Sequence, residues 1–194
     1  MKELVDIAEE NNGFVSSSQA TEAGIPRRCL ADLVDNGVLV KVERGLYALP
    51  GTWEDEFLVL QHRFARGVYS HETALFLHNL TDRTPLSFTM TFPRSYNATR
   101  VKAAEVDVRT CADAVLDLGL CMLRSPSGNM VRAYDVERTL CDLVRGQAAV
   151  DVQAVNPAMR AYARSKDRDM GKLLGYARDL GVERKVRNYM EVLL

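Results

Sequence analysis

Residues 16 to 50, SSSQATEAGIPRRCLADLVDNGVLVKVERGLYALP, decide the fold of the N-terminal part of the chain. Ser16 can accept from the first free N–H groups of a helix while Gln19 reaches back to it, which is a capping-box arrangement and opens a helix there. Ala20 and Gly24 sit around a turn. The small residue lets two helices approach, and glycine tolerates a left-handed backbone at a helix end. Pro26 fixes φ for the first turn of the next helix and gives up an N–H that would have no partner in any case. That second helix is expected over about Pro26 to Asn36, ended by Gly37. Cys29, Leu30, Leu33 and Val34 face inward at helical spacing, with Ile25 completing the wedge, while Arg27, Arg28, Ala31, Asp32 and Asp35 face out.

Beyond Gly37 the period changes to two. Val38, Val40 and Val42 alternate with Leu39 and Lys41, Glu43-Arg44-Gly45 turns the chain, and Leu46 to Leu49 returns it to Pro50. Helix, turn, helix and glycine-tipped hairpin are together the outline of a winged helix-turn-helix, whose second helix commonly lies in the DNA major groove. Arg27 and Arg28 open that helix, at the end that enters the groove. A forked guanidinium there matches guanine O6 and N7 or a phosphate. Arg44 falls at the wing tip.

Charge moderates this reading. Residues 1 to 50 hold five basic side chains against eight acidic ones, a net of minus three. Neutralised phosphates release counterions, so DNA affinity follows the basic footprint, and this footprint is modest. Help is expected from elsewhere: from Ala158 to Leu194 nine basic residues face five acidic ones. Arg164, Lys166, Arg168 and Lys172 are the candidates for a second phosphate-contacting surface.

At 194 residues, with 47% hydrophobic residues and a net charge of −1, one or two globular domains with a real core are expected. No apolar run approaches a membrane span, and MKELVDIAEENN has no signal-peptide apolar segment, so the expected location is the cytoplasm, with no membrane partner. Cys29, Cys111, Cys121 and Cys141 are too widely spaced for a CxxC site and read as reduced thiols. His62, His71 and His78 lack the HExxH spacing. Neither a metal nor a cofactor is expected.

After Pro50, Thr52 reads as the cap of a helix from about Trp53 to Arg66, and Ser70 as the cap of another reaching Leu80. Leu86 to Phe92 and Val106 to Thr110 read as strands. Leu120 to Arg124 and Met130 to Tyr134 flank the turn Ser125-Pro126-Ser127-Gly128-Asn129 as a hairpin. VERTLCDLVR, AVNPAMRAYARS, DMGKLLGYARDLG and VERKVRNYMEVLL follow as helices. In the first of these, Val136, Leu140 and Leu143 share a face that should dock on the sheet, with Glu137, Arg138, Asp142 and Arg145 exposed or paired. The expected fold class is α+β: a winged helix-turn-helix DNA-binding domain over 1–50, then a mixed α/β C-terminal domain over 51–194 ending in several helices.

Taken in order, RGLYALP, YSHETALFLHNL, LSFTMTFPR, RSPSGNMVRAYDVERTLCDLVR and the basic C-terminal helices resemble the abortive-infection AbiEi antitoxins of bacterial type IV toxin–antitoxin systems, a class of phage-defence device. The resemblance implies a winged helix that binds inverted repeats of double-stranded DNA in its own operon's promoter and represses it. It also implies a C-terminal antitoxin domain that opposes a nucleotidyltransferase-like toxin without a stable complex. By matching position, the implied DNA-facing residues are Ser17, Ser18, Arg27, Arg28, Lys41 and Arg44.

Two rival readings share parts of this pattern. A regulator working without a toxin partner needs the same DNA-binding elements. A DNA nuclease needs clustered carboxylates with a lysine nearby. Asp107 sits on an expected strand, but no E-x-K follows it, and no P-loop or G-x-S-x-G occurs, so the chain is not expected to be an enzyme.

Overall fold

The computed structural model describes residues 2–145 and 152–193 as a mixed α+β protein that separates into two compact units. One runs through Ala65 and takes in Arg124–Val131; the other holds Arg66–Leu123 and the chain from Arg132 onward.

The first unit is built from α1 (Lys2–Glu10), β1 (Phe14–Ser16), α2 (Ser17–Glu22), α3 (Arg28–Asp35), β2 (Val40–Glu43), β3 (Leu46–Ala48) and α4 (Glu56–Arg63). The capping box is formed as expected: Gln19 N–H donates to Ser16 Oγ (3.2 Å), and Ser16 N–H donates to Gln19 Oε1 (2.8 Å). Gly24 adopts φ 71°, the left-handed conformation that the turn between α2 and α3 requires. The second helix begins later than expected, at Arg28. Pro26 and Arg27 instead form the tight turn before it, their carbonyls accepting from Cys29 and Leu30.

No sequence pattern marks β1. This three-residue strand pairs antiparallel with β3, which in turn pairs with β2, so the expected hairpin becomes a three-stranded sheet in the order β1-β3-β2. Alternation along these strands divides their side chains between two clusters. Val15 and Tyr47 join Leu4, Ala8, Ala20, Leu30, Leu33 and Leu39 beneath the helices; Phe14, Leu46 and Ala48 face Leu58 and Val59 of α4.

Helix α4 is shorter than expected, and its cap is Asp55 rather than Thr52. Asp55 Oδ1 accepts from Leu58 N–H at 3.2 Å, whereas Thr52 packs so tightly over Gly13 that a Cβ there would lie 2.3 Å from its hydroxyl. Asp55 also organises the inserted segment. Its Oδ2 accepts from Ser125 Oγ (2.5 Å) and Asn129 Nδ2 (2.7 Å), while Asn129 Oδ1 accepts from Asn12 Nδ2 (3.2 Å). Asp55, Ser125 and Asn129 are all buried.

The other sheet is mixed, with β4 (Val68–Tyr69), β5 (Thr89–Pro93), β6 (Asp107–Cys111), β7 (Leu120–Arg124) and β8 (Met130–Tyr134) in the order β6-β5-β4-β8-β7; apart from Arg124, Met130 and Val131 its residues belong to the second unit. No sequence pattern marks the two-residue β4, yet it lies at the centre, antiparallel to β5 and parallel to β8. The expected strand over Leu86–Phe92 is displaced to Thr89–Pro93 and pairs parallel with β6; Leu86 is fully exposed. α5 (His71–Leu77) stops three residues short of the expected end. Ser70 precedes it without a side-chain cap bond, because its hydroxyl is engaged by Thr91 Oγ1 (2.8 Å) and His71 Nδ1 (3.0 Å).

α6 (Thr99–Lys102) links β5 to β6, and α7 (Val136–Arg145), α8 (Val152–Arg164), α9 (Met170–Asp179) and α10 (Glu183–Leu193) complete the unit. Helix α7 does not chiefly dock on the sheet. It is enclosed by α5, α8 and α9, with Leu140, Cys141, Leu143 and Val144 in a core shared with Met159, Leu173 and Val186. Being wrapped on most sides, it also buries Glu137, Arg138 and Asp142. Arg138 satisfies its guanidinium through Asp142 Oδ2 (2.9 Å) and the carbonyls of Val115 (2.6 Å) and Leu118 (2.9 Å), with its carbon 4.1 Å from the centre of the Tyr134 ring.

Candidate nucleic-acid interface

The outward face of α3 is the one the sequence indicates. Arg27, Arg28, Ala31, Asp32 and Asp35 are all exposed, and the first turn contains no acidic residue, so positive charge gathers at the start of the helix and negative charge toward its end. Arg27 Nε donates to Thr21 Oγ1 at 3.2 Å, which ties the guanidinium stem to α2 while leaving the side chain at the surface. Arg28 projects freely into solvent one residue on.

Ser17 and Ser18 open α2 in different environments. Ser18 is exposed, its hydroxyl 2.8 Å from that of Ser16. Ser17 is half-buried at the turn between β2 and β3: its N–H donates to Gly45 O at 2.8 Å, and a Cβ on Gly45 would lie 2.8 Å from its hydroxyl. Gly45 has φ 79°, so both its backbone conformation and this close approach demand glycine. Ser17 thus fixes the hairpin turn against the start of α2.

Lys41 and Arg44 are exposed on β2 and at the turn after it. β2 slips register between Lys41, opposite Tyr47, and Glu43, opposite Leu46, so a bulge precedes the turn. Glu43 accepts from Arg44 N–H (2.8 Å) and forms an ion pair with Arg63 of α4. The Arg44 N–H and then the Arg63 guanidinium hold the Glu43 carboxyl below its ordinary range. His62 Nε2 lies 3.1 Å from Arg44 O. Residues of α4 therefore anchor the turn between β2 and β3 and neutralise its acid, a role that no local pattern around Ser16–Pro50 could reveal.

The three histidines do not converge. His62 meets the turn between β2 and β3, His71 meets Ser70, and His78 Nε2 lies 2.8 Å from Tyr134 O. The four candidates in the C-terminal helices also separate. Arg164, Lys166 and Arg168 are exposed around the end of α8, Arg168 donating to Ser165 O at 2.9 Å. Lys172 is exposed as well, but its ammonium is ion-paired, 3.0 Å from Asp135 and 3.2 Å from Glu137.

No described helix is long and apolar enough to cross a membrane. No curated protein matches the chain. Among solved structures, the chain is similar to the crystal structure of RV2827C protein from Mycobacterium tuberculosis, with 16% identity and a TM-score of 0.54 over 97% of this chain and 79% of that one, a likeness of fold. The module carrying the arginines and the hairpin has a more specific counterpart: residues 2–50 match the family model described as transcriptional regulator, AbiEi antitoxin.

Proposed function

We propose that the chain is a DNA-binding transcriptional autorepressor and the antitoxin of a type IV toxin–antitoxin system. On this reading α1 to β3 form a winged helix-turn-helix, and α3 enters the major groove at inverted repeats in the promoter of its own operon. Arg27 and Arg28 supply the contacts that distinguish bases, Ser18 meets a phosphate, Lys41 and Arg44 meet the backbone beside the groove, and Ser17 sets the wing's position. The observation that carries the reading is the paired, exposed arginines at the acid-free start of α3, within the segment that matches the regulator family.

Arg164, Lys166 and Arg168 are proposed as a second phosphate-contacting surface that compensates for the acidic N-terminal segment. The C-terminal domain opposes a nucleotidyltransferase-like toxin encoded beside it, without a stable complex and without enzymatic activity of its own, in the cytoplasm. Binding of the chain to DNA from upstream of its own gene, followed by fluorescence anisotropy at several salt concentrations, tests the first half. Rescue of growth when the neighbouring gene is expressed tests the second. Affinity no greater for that DNA than for a scrambled duplex at fixed salt would defeat the repressor reading.

A further inference from the structure

The second unit contains a cavity of about 240 Å³ whose wall runs from α5, through the loop before β5, to β6. Arg83, Arg109, Ser87 and Thr89 line it together with Glu72 and Asp107. Arg109 is the unusual member. Its Nε is buried and has no hydrogen-bond partner among the described residues. Buried donors are nearly always paired, so an orphaned guanidinium nitrogen marks a place where an acceptor is missing.

Two further observations surround the same arginine. His71, on α5, is buried with φ 51°, a left-handed conformation that is uncommon for a side chain of this size and that concentrates at ligand sites. Burial, then the charges of Arg109 and Arg138, push its imidazole down to about 3, so the ring stays neutral in a positive local field. Of those two cations, Arg138 is matched by Asp142. Arg109 forms no ion pair among the described residues: Asp107, two residues away on β6, accepts from Ser87 Oγ at 2.8 Å instead.

We propose that this cavity is a binding site for a small phosphoester or carboxylate, with Arg109 receiving the oxyanion and Glu72 and Asp107 accepting from hydroxyl or amino groups on the ligand's body. The acidic pair explains why a bare anion is not the best fit. An oxyanion on a donor-bearing body satisfies both walls, and the guanidinium fork suits either anion's geometry.

The test is calorimetric titration of the full chain, at ionic strength held constant with chloride, using inorganic phosphate, acetate and ribose 5-phosphate, with the His71 ring followed by NMR. Saturable binding by phosphate or acetate that shifts the His71 ring is expected, and the anion that binds identifies the oxyanion. If it is phosphate, ribose 5-phosphate binds more tightly. Arg109→Gln should weaken binding by about tenfold or more, the scale of one charge-assisted hydrogen bond, and Lys102→Gln, at an exposed position of α6, should not. No saturation by any of the three, or equal affinity in Arg109→Gln, overturns the proposal. If Arg109→Gln does not fold, the wild-type ring decides, since an unmoved His71 at saturating phosphate and acetate overturns it equally.

Discussion

Replacing Asp55 with alanine should be among the most damaging single changes in the first unit. Its carboxylate is buried and is held by three donors: Leu58 N–H on one oxygen, Ser125 Oγ and Asn129 Nδ2 on the other. Loss of the helix cap costs about 1 kcal/mol. Each charge-assisted bond contributes roughly 1.5–3 kcal/mol, but Ser125 Oγ also accepts from Asn129 N–H and can reorient. Asp55→Ala should therefore lose about 3–5 kcal/mol, a large share of the 5–15 kcal/mol typical of a folded domain. Asp55→Asn has one acceptor oxygen. It can serve Leu58 or the inserted segment, not both, and should lose about 1–2 kcal/mol. Urea unfolding followed by far-UV circular dichroism measures these differences, and a double-mutant cycle with Asn129→Ala should return a coupling of about 1 kcal/mol or more. An Asp55→Ala chain within about 0.5 kcal/mol of wild type would refute the claim that this carboxylate holds Arg124–Val131 in place.

Arg63→Ala leaves Glu43 without its ion pair at the turn between β2 and β3, and on the proposed DNA-binding role should weaken binding by up to about 1 kcal/mol, the scale of an exposed ion pair. In anisotropy titrations the loss should be equal for specific and scrambled duplexes; a loss confined to one sequence would contradict it. His71 is pushed from its ordinary 6.5 to about 3, so between these values the unfolded chain binds the extra proton, and stability present above pH 6.5 is lost as pH falls toward 3. His71→Asn, which suits the left-handed backbone, should flatten that acid limb in urea midpoints measured at pH 4 and 7; an unchanged slope would count against it. Asp142→Ala strands the fully buried Arg138 and should lose about 3–5 kcal/mol, visible as a large drop in the urea midpoint, whereas a midpoint near wild type would show that the carbonyls of Val115 and Leu118 suffice.

What could be read in advance was what depends on neighbours in sequence. The Ser16–Gln19 capping box, Gly24 at its turn, and the hairpin around Ser125–Asn129 each rest on residues within a few positions of one another, and each is formed. The strands β1 and β4 are three and two residues long, too short to show a period, and exist because β3 in one case and β5 and β8 in the other pair with them. Asp55 and Thr52 are equally good caps on paper; the backbone at Gly13 and the donors of Ser125 and Asn129 decide between them. Charged positions on α7 look external in a helical projection, yet Arg138 and Asp142 are buried as a pair because other helices enclose that side too. The same division holds at the interface. Arg27, Arg28, Lys41 and Arg44 belong to one local pattern and stand exposed together, while His62 and Arg63 reach the turn between β2 and β3 only through tertiary packing, and Lys172 is ion-paired with Asp135 and Glu137 from a distant part of the sequence.

The most direct test of the central claim is the affinity of an Arg27→Ala/Arg28→Ala chain for DNA from upstream of its own gene, measured by anisotropy at one fixed salt concentration. A base-directed contact contributes roughly 1–3 kcal/mol, so the double variant, with its circular dichroism unchanged, should bind that DNA at least tenfold more weakly and lose most of its preference over a scrambled duplex. Wild-type affinity and preference in the double variant would show that the start of α3 does not read DNA.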